Sequence, residues 1–294
     1  MFLLRDGRSA GDRWDLLLVV VVASLAAGLL GLGEDLHGVS VRARSIWLIL
    51  IALAGPGALL LLASRPFPDS GYAWIAGTAG APLHLEWWSG ILLLLYAMLF
   101  VSGYINVANF MDGLNGISGL HGVIAGLAFA AAGWFTGLGW LVLAGLVLAA
   151  GFAGFLPWNL TKPGAFLGDV GSYLLGGAVA ITSFAALLAG VPLLATIGPM
   201  VITFGDVGVT LVKRVREGKR WDEPHKEHTY QRIEQRGYSH VQASLLAAGC
   251  TLLTSVLGLA SLFVGFGGAV ALFAAGLVVL LVYLALPRLL PARA

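Results

Sequence analysis

The chain alternates between long apolar runs and short polar breaks. Nine runs reach the roughly 20 residues that a membrane-spanning helix requires. They cover about 14–31, 45–64, 89–108, 117–135, 138–156, 172–190, 193–212, 243–264 and 267–286. No period-two alternation and no low-complexity linker interrupts them, so the pattern predicts one all-α polytopic bundle over 1–294. Pro56 and Pro199 fall inside two of the runs, where each could break a helix. Composition agrees: 59% of the 294 residues are apolar and 11% charged, against about 25% charged in a soluble domain. A single cysteine, Cys250, lies in an apolar run, which excludes a disulfide framework or a thiolate metal site.

Charge sets the orientation. With nine spans, the loops at about 32–44, 106–116, 157–171 and 213–242 and the C-terminus share one side. That side carries thirteen Lys and Arg; the other carries four, Arg5, Arg8, Arg13 and Arg65. The positive-inside rule makes the first side cytoplasmic. Three arginines before the first run fit this poorly.

Five acids change the picture further. Glu34, Asp35, Asp112, Asp169 and Asp206 lie at helix ends or within apolar segments. The first four fall at the cytoplasmic surface, and Asp206 falls inside the seventh run. Such residues usually face a bundle interior or a wet cavity. A single one could be a cap or an ion-pair partner; five on one side of the membrane, beside a basic loop, point to a site.

In "NVANFMDGLNGISG", Asn106, Asn109 and Asp112 recur every third residue and share one helical side. "PWNLTKPGAFLGDVGS" brings Asn159 and Lys162 on a loop and Asp169 at a helix start. Asp169 there is either an N-cap or a ligand for a hard cation such as Mg²⁺, which takes one or two carboxylates plus phosphate oxygens. In "PHKEHTYQR", His225 and His228 are three apart among basic residues. They suit a pyrophosphate better than a metal, although a basic juxtamembrane loop can equally meet anionic lipid. Together these groups suggest phosphoryl transfer to an acceptor in the bilayer.

At these residues the chain resembles the polyprenyl-phosphate N-acetylhexosamine-1-phosphate transferases. The resemblance runs from about residue 30 to 245. "GEDLHGVSVRAR" looks like the family's paired-acid loop, with Glu34 where the family usually has Asp. "NVANFMDG", "FLGDVGS" and the segment from Gly205 to Arg232 match its later motifs in order. "NFMDGLNG" and "HTYQR" look most like the O-antigen-initiating branch, which handles 6-deoxy-N-acetylhexosamines.

The resemblance implies transfer of sugar 1-phosphate from a UDP-N-acetylhexosamine to undecaprenyl phosphate with release of UMP, in the bacterial cytoplasmic membrane. It implies Mg²⁺, with Mn²⁺ as substitute, on Asp112 and Asp169, and a catalytic set of Glu34, Asp35 and Asp112 in which Asp35 deprotonates or orients the lipid phosphate. Substrate contacts would come from Asn106, Asn109, Asp206, His225 and His228, and nucleotide contacts from Asn159 and Lys162. No nucleic-acid partner is expected, and a homodimer is compatible.

The family's usual start carries two more helices and a Pro-Arg-Gly-Gly-like loop. Their lack reads as a misassigned start, a fragment, or a natural short form with reduced or no activity, and little turnover is expected of the form as it stands. The rival readings are an ion-coupled transporter or flippase using the same acids, and an inactive paralogue that only binds lipid-linked sugar. UMP release separates both from the transferase.

Overall fold

The computed structural model describes residues 13–63, 87–161, 164–220 and 225–293. Among these residues the structure is all helix and turn, with no strand. The helices are α1 (Trp14–His37), α2 (Val41–Ala63), α3 (Trp87–Met111), α4 (Ile117–Thr136), α5 (Gly139–Asn159) and α6 (Gly168–Leu188). There follow α7 (Leu193–Ile197), α8 (Val201–Arg216), α9 (Thr229–Glu234), α10 (His240–Ala260) and α11 (Phe266–Leu289). Nine segments of the described residues are long and apolar enough to cross a membrane, each near a run expected from the sequence. The chain is a multi-pass integral membrane protein.

The ends of the helices differ from the apolar runs in a way that matters. α1 continues through Glu34 and Asp35 to His37, and α3 continues through Asn106 and Asn109 to Met111. Much of what hydropathy assigns to loops is therefore helix. Polar residues at a membrane surface stay helical because the i→i−4 ladder still satisfies their backbone. α2 runs unbroken past Pro56. Pro199 instead sits in a 3₁₀ turn, Gly198–Met200, that joins α7 to α8 within one span.

α6 is the most enclosed span and packs against both α1 and α3. These contacts rest on small residues. A Cβ on Gly176 would lie 2.6 Å from Ile105 Cα of α3. Such close approach is how helices associate where lipid removes the hydrophobic drive. A buried polar chain ties α3, α4 and α8: Tyr104 Oη lies 2.7 Å from His121 Nε2 and 3.0 Å from Thr203 Oγ1. The Thr203 hydroxyl donates to Met200 O. Tyr104 therefore donates to Thr203, and His121 donates from Nε2 to Tyr104. α11 lies outermost, burying only Tyr283 and Pro287 of its length.

Candidate active site

The site begins with the crossing of α1 and α6. A Cβ on Gly31 would collide with the backbone of Asp169, so only glycine lets the end of α1 touch the first turn of α6. That approach carries Asp35 over the start of α6. Asp35 Oδ1 accepts from Asp169 N at 3.0 Å, and Oδ2 accepts from Val170 N at 2.9 Å. Gly168 enters the helix at φ +68°, where a Cβ would also lie 2.8 Å from Asp35 Oδ2. A carboxylate from another span thus satisfies two of the N–H groups that a helix start leaves orphaned. Asp169, one of the two readings of which was an N-cap, is not the cap; Asp35 is.

Its neighbour Glu34 points elsewhere. Oε1 accepts from Arg44 Nη1 at 2.8 Å and Oε2 from the Tyr173 hydroxyl at 2.8 Å. Glu34 therefore links α1 to α2 and α6. Asp169 turns toward α3: Asn109 Nδ2 donates to its Oδ1 at 2.6 Å and reaches Ser172 Oγ at 3.0 Å. Asp112 follows the end of α3 and is largely enclosed. Burial pushes its carboxyl up to about 6, and the nearby Asp169 charge adds to the rise while the Ser118 hydroxyl opposes it. Acids from α1, α3 and α6 thus meet at one end of the bundle.

The histidine loop closes over the same end. Gly113 faces it directly, since a Cβ there would stand 2.5 Å from Tyr230 Oη. The Tyr230 hydroxyl donates to Phe110 O at 3.3 Å. The His228 ring stacks on Tyr230, with centroids 5.8 Å apart and planes within 8°, and meets His225 at 4.9 Å. His225 is half-buried, and burial with the adjacent His228 and Arg214 lowers its pKa. At the loop's base, Glu227 Oε1 accepts from Arg214 at 2.9 Å and Lys219 at 3.1 Å, and these cations hold its carboxyl below the usual range.

Several residues singled out in the sequence are engaged inside the fold. Asp206, expected to touch substrate, is fully buried. Its carboxylate accepts from Thr229 N at 3.0 Å, the Tyr283 hydroxyl at 2.7 Å and the Thr210 hydroxyl at 3.3 Å. His228 Nδ1 lies 3.4 Å from it. Asp206 therefore has no face left for a substrate and anchors the histidine loop instead. Asn159, expected at the nucleotide, is also buried. It accepts from Gly116 N and donates to Ala165 O, stitching two surface loops together. Asn106 donates to Ser102 O of its own helix and, among the described residues, bonds no acid. Lys162 lies outside the described residues. Arg44, Tyr173 and Tyr230 were not singled out. Arg44 ends the acid-loop motif, Tyr173 stands one turn after Asp169, and Tyr230 is inside the histidine motif, so proximity to the motifs was the available signal.

No group of three or more His, Cys, Asp or Glu placed to hold a metal occurs among the described residues. Asp112 and Asp169 nonetheless fit Mg²⁺, which keeps waters and takes one or two carboxylates, the rest of its shell coming from phosphate. A carboxylate whose pKa is raised by burial and, to a lesser degree, by a second acid is a donor that a hard cation relieves.

Comparison with known proteins gives consistent matches. The profile of glycosyl transferase family 4 matches residues 17–187, a stretch that includes Glu34, Asp35, Asp112 and Asp169. Decaprenyl-phosphate N-acetylglucosaminephosphotransferase of Mycolicibacterium smegmatis is 34% identical over 115 residues, covering 34% of this chain and 28% of that protein. The proteins of the same name from Mycobacterium leprae and Mycobacterium tuberculosis are 32% and 31% identical over the same length and shares. The aligned stretch is thus 28% of the length of these curated relatives.

Proposed function

The chain belongs to glycosyl transferase family 4, and from that premise we propose that it transfers N-acetylhexosamine 1-phosphate from a UDP-sugar to a polyprenyl phosphate, releasing UMP. The observation that carries the reading is the meeting of Asp35, Asp112 and Asp169 from three spans beneath a loop of histidines. An oxygen of the lipid phosphate bonds to the sugar-bearing phosphorus. The bond from that phosphorus to the bridging oxygen breaks, and UMP leaves with its electron pair.

A phosphate monoester has a second pKa of about 6, so the lipid phosphate is largely a dianion at neutral pH. No residue has to deprotonate it. The difficulty is the accumulation of negative charge, and transfer of this kind is mainly positioning and charge stabilisation. Mg²⁺, when bound, supplies that screening as a Lewis acid; Asp112 and Asp169 would hold it. Asn109 aims Asp169, and Asp35 fixes the turn of α6 that carries it. Asp35 is thus a positioning residue in this reading, not a base. His225 supplies an imidazole to the donor phosphates at the half-buried rim.

We assign undecaprenyl phosphate as acceptor, a UDP-N-acetylhexosamine of the 6-deoxy class as donor and the start of O-antigen-type polymer synthesis as the role. The motifs "NFMDGLNG" and "HTYQR" support this; the mycobacterial relatives' names carry decaprenyl phosphate and N-acetylglucosamine. The charge asymmetry of the loops supports a site facing the cytoplasm in a bacterial inner membrane.

The test is purified protein in nanodiscs, given a panel of UDP-N-acetylhexosamines with undecaprenyl or decaprenyl phosphate. UMP release and UMP binding are both read, with and without Mg²⁺. Asp169→Asn is expected to cut turnover or Mg²⁺-dependent binding by about 10²-fold or more while the protein stays folded. Neither release nor Mg²⁺-dependent binding by the parent protein, or full function in Asp169→Asn, would overturn the reading.

A further inference from the structure

Away from the acids, a cavity of about 320 Å³ opens between α8, α9 and α11. One wall is apolar, formed by Val209, Leu281 and Leu284; the other carries Lys213, Arg232 and Arg288. Lys213 and Arg288 lie in the last turns of α8 and α11, so both sit at the same membrane boundary. Arg232 is half-buried, and among the described residues neither it nor Arg288 has a carboxylate within ion-pair distance. Lys213 has only Glu217 at 3.7 Å. The one acid in the wall, Glu227, already faces Arg214 and Lys219. The cavity therefore presents an uncompensated excess of positive charge above an apolar surface.

The walls are held in place by specific ties. The Tyr283 hydroxyl fixes α11 to Asp206 on α8. Arg236 Nη1 donates to Pro287 O, and Arg293 N donates to Arg236 O, fixing the end of α11 to the turn after α9. Further along, α11 packs on α10 and on α8, where Leu280 fills the space that glycine leaves at Gly205, and with only Tyr283 and Pro287 buried its outer face meets the bilayer.

We propose that this cavity binds a bilayer lipid with an anionic phosphate headgroup. The phosphate lies among Lys213, Arg232 and Arg288, and the first carbons of a chain run along Leu281, Leu284 and Val209. Cations at a membrane boundary attract anionic headgroups, and three on separate elements around an apolar groove make that attraction local. The bound lipid braces α9, and with it the histidine loop, against α8 and α11. The site is separate from the proposed transfer chemistry and its test needs no turnover.

The full chain in phosphatidylcholine nanodiscs is titrated with phosphatidylglycerol, and bound lipid is counted by native mass spectrometry. One saturable phosphatidylglycerol per chain is expected. The triple variant Lys213→Gln, Arg232→Gln, Arg288→Gln should weaken it roughly 100-fold. A control triple at exposed cations outside the cavity, Arg42→Gln, Arg216→Gln, Lys226→Gln, should weaken it by no more than about threefold. Should the first triple not fold, the exposed Arg288→Gln alone is read, with a loss of about fivefold expected.

Equal losses in the two triples would reduce the effect to general charge and overturn the proposal. So would inorganic phosphate binding as tightly as the lipid, which would remove the apolar wall's part. Selective occupation by undecaprenyl phosphate over phosphatidylglycerol would assign the cavity to the acceptor and overturn it equally.

Discussion

Replacing Asp206 by Asn should loosen the histidine loop from a distance. The carboxylate accepts from Thr229 N, the Tyr283 hydroxyl and the Thr210 hydroxyl, and it is fully buried. Asn keeps the shape but offers one acceptor oxygen, and its amide turns donors toward donors. With the amide oxygen in the Oδ2 place, Thr229 N–H and Tyr283 O–H keep a neutral acceptor, and the amide NH₂ in the Oδ1 place leaves the Thr210 hydroxyl without its acceptor. A buried donor left so costs about 1–3 kcal/mol, and the lost charge-assisted bond adds a similar amount. Transmembrane cycles average nearer 0.6 kcal/mol per bond because the unfolded chain in a membrane finds other partners. A net loss of about 2–4 kcal/mol follows from weighing the two, or roughly 5–15 °C in melting temperature for a protein of this size.

Thermal unfolding in one fixed detergent measures the loss, and hydrogen exchange over 225–236 locates it. Tyr283→Phe should cost less in the Asp206→Asn background than in the parent, since the two share one hydrogen bond. Strictly additive effects, or unchanged exchange protection in the loop, would refute the anchoring role.

Asp112→Asn should stabilise the metal-free protein, with a defined pH dependence. The folded carboxyl titrates at about 6 against 3.8 in the ordinary carboxylate. The folded state therefore binds more protons between these values, and stability falls as pH rises through that window. The charged form costs about 3 kcal/mol above about pH 6, so the variant should gain up to that amount near pH 8 in chelator and nothing near pH 4. A gain independent of pH would show that charge is not the cause, and restored parity on adding Mg²⁺ is expected. Gly31→Ala should separate α1 from α6, because its Cβ collides with the backbone of Asp169. Overpacking of this kind costs about 1–3 kcal/mol, and the shift pulls Asp35 off the α6 start. Loss of transfer with an intact fold is the expected result; undiminished turnover would remove Asp35's capping from the chemistry.

The spans could be read from the sequence because a bilayer demands about 20 apolar residues in a row and little else produces such runs. Glu34, Asp35, Asp112 and Asp169 also stood out, since an acid at the edge of an apolar segment has few reasons to be there. What those acids do was not readable. Asp112 and Asp206 look alike in sequence, each a lone carboxylate beside apolar neighbours. The fold buries the first beside a second acid, with its pKa raised chiefly by the burial, and surrounds the second with donors from α8, α9 and α11. Asp35 and Glu34 are adjacent, yet one caps α6 while the other pairs with Arg44 and Tyr173. Asn159 carries a motif's signature but spends both ends of its amide on surface loops. In each case the deciding partner lies far along the chain: 134 residues from Asp35 to Asp169 and 77 from Asp206 to Tyr283. Hydropathy records how a segment meets lipid or water. Whether a buried carboxylate is satisfied or left short of donors depends on which groups the packed helices bring to it, and only the tertiary structure decides that.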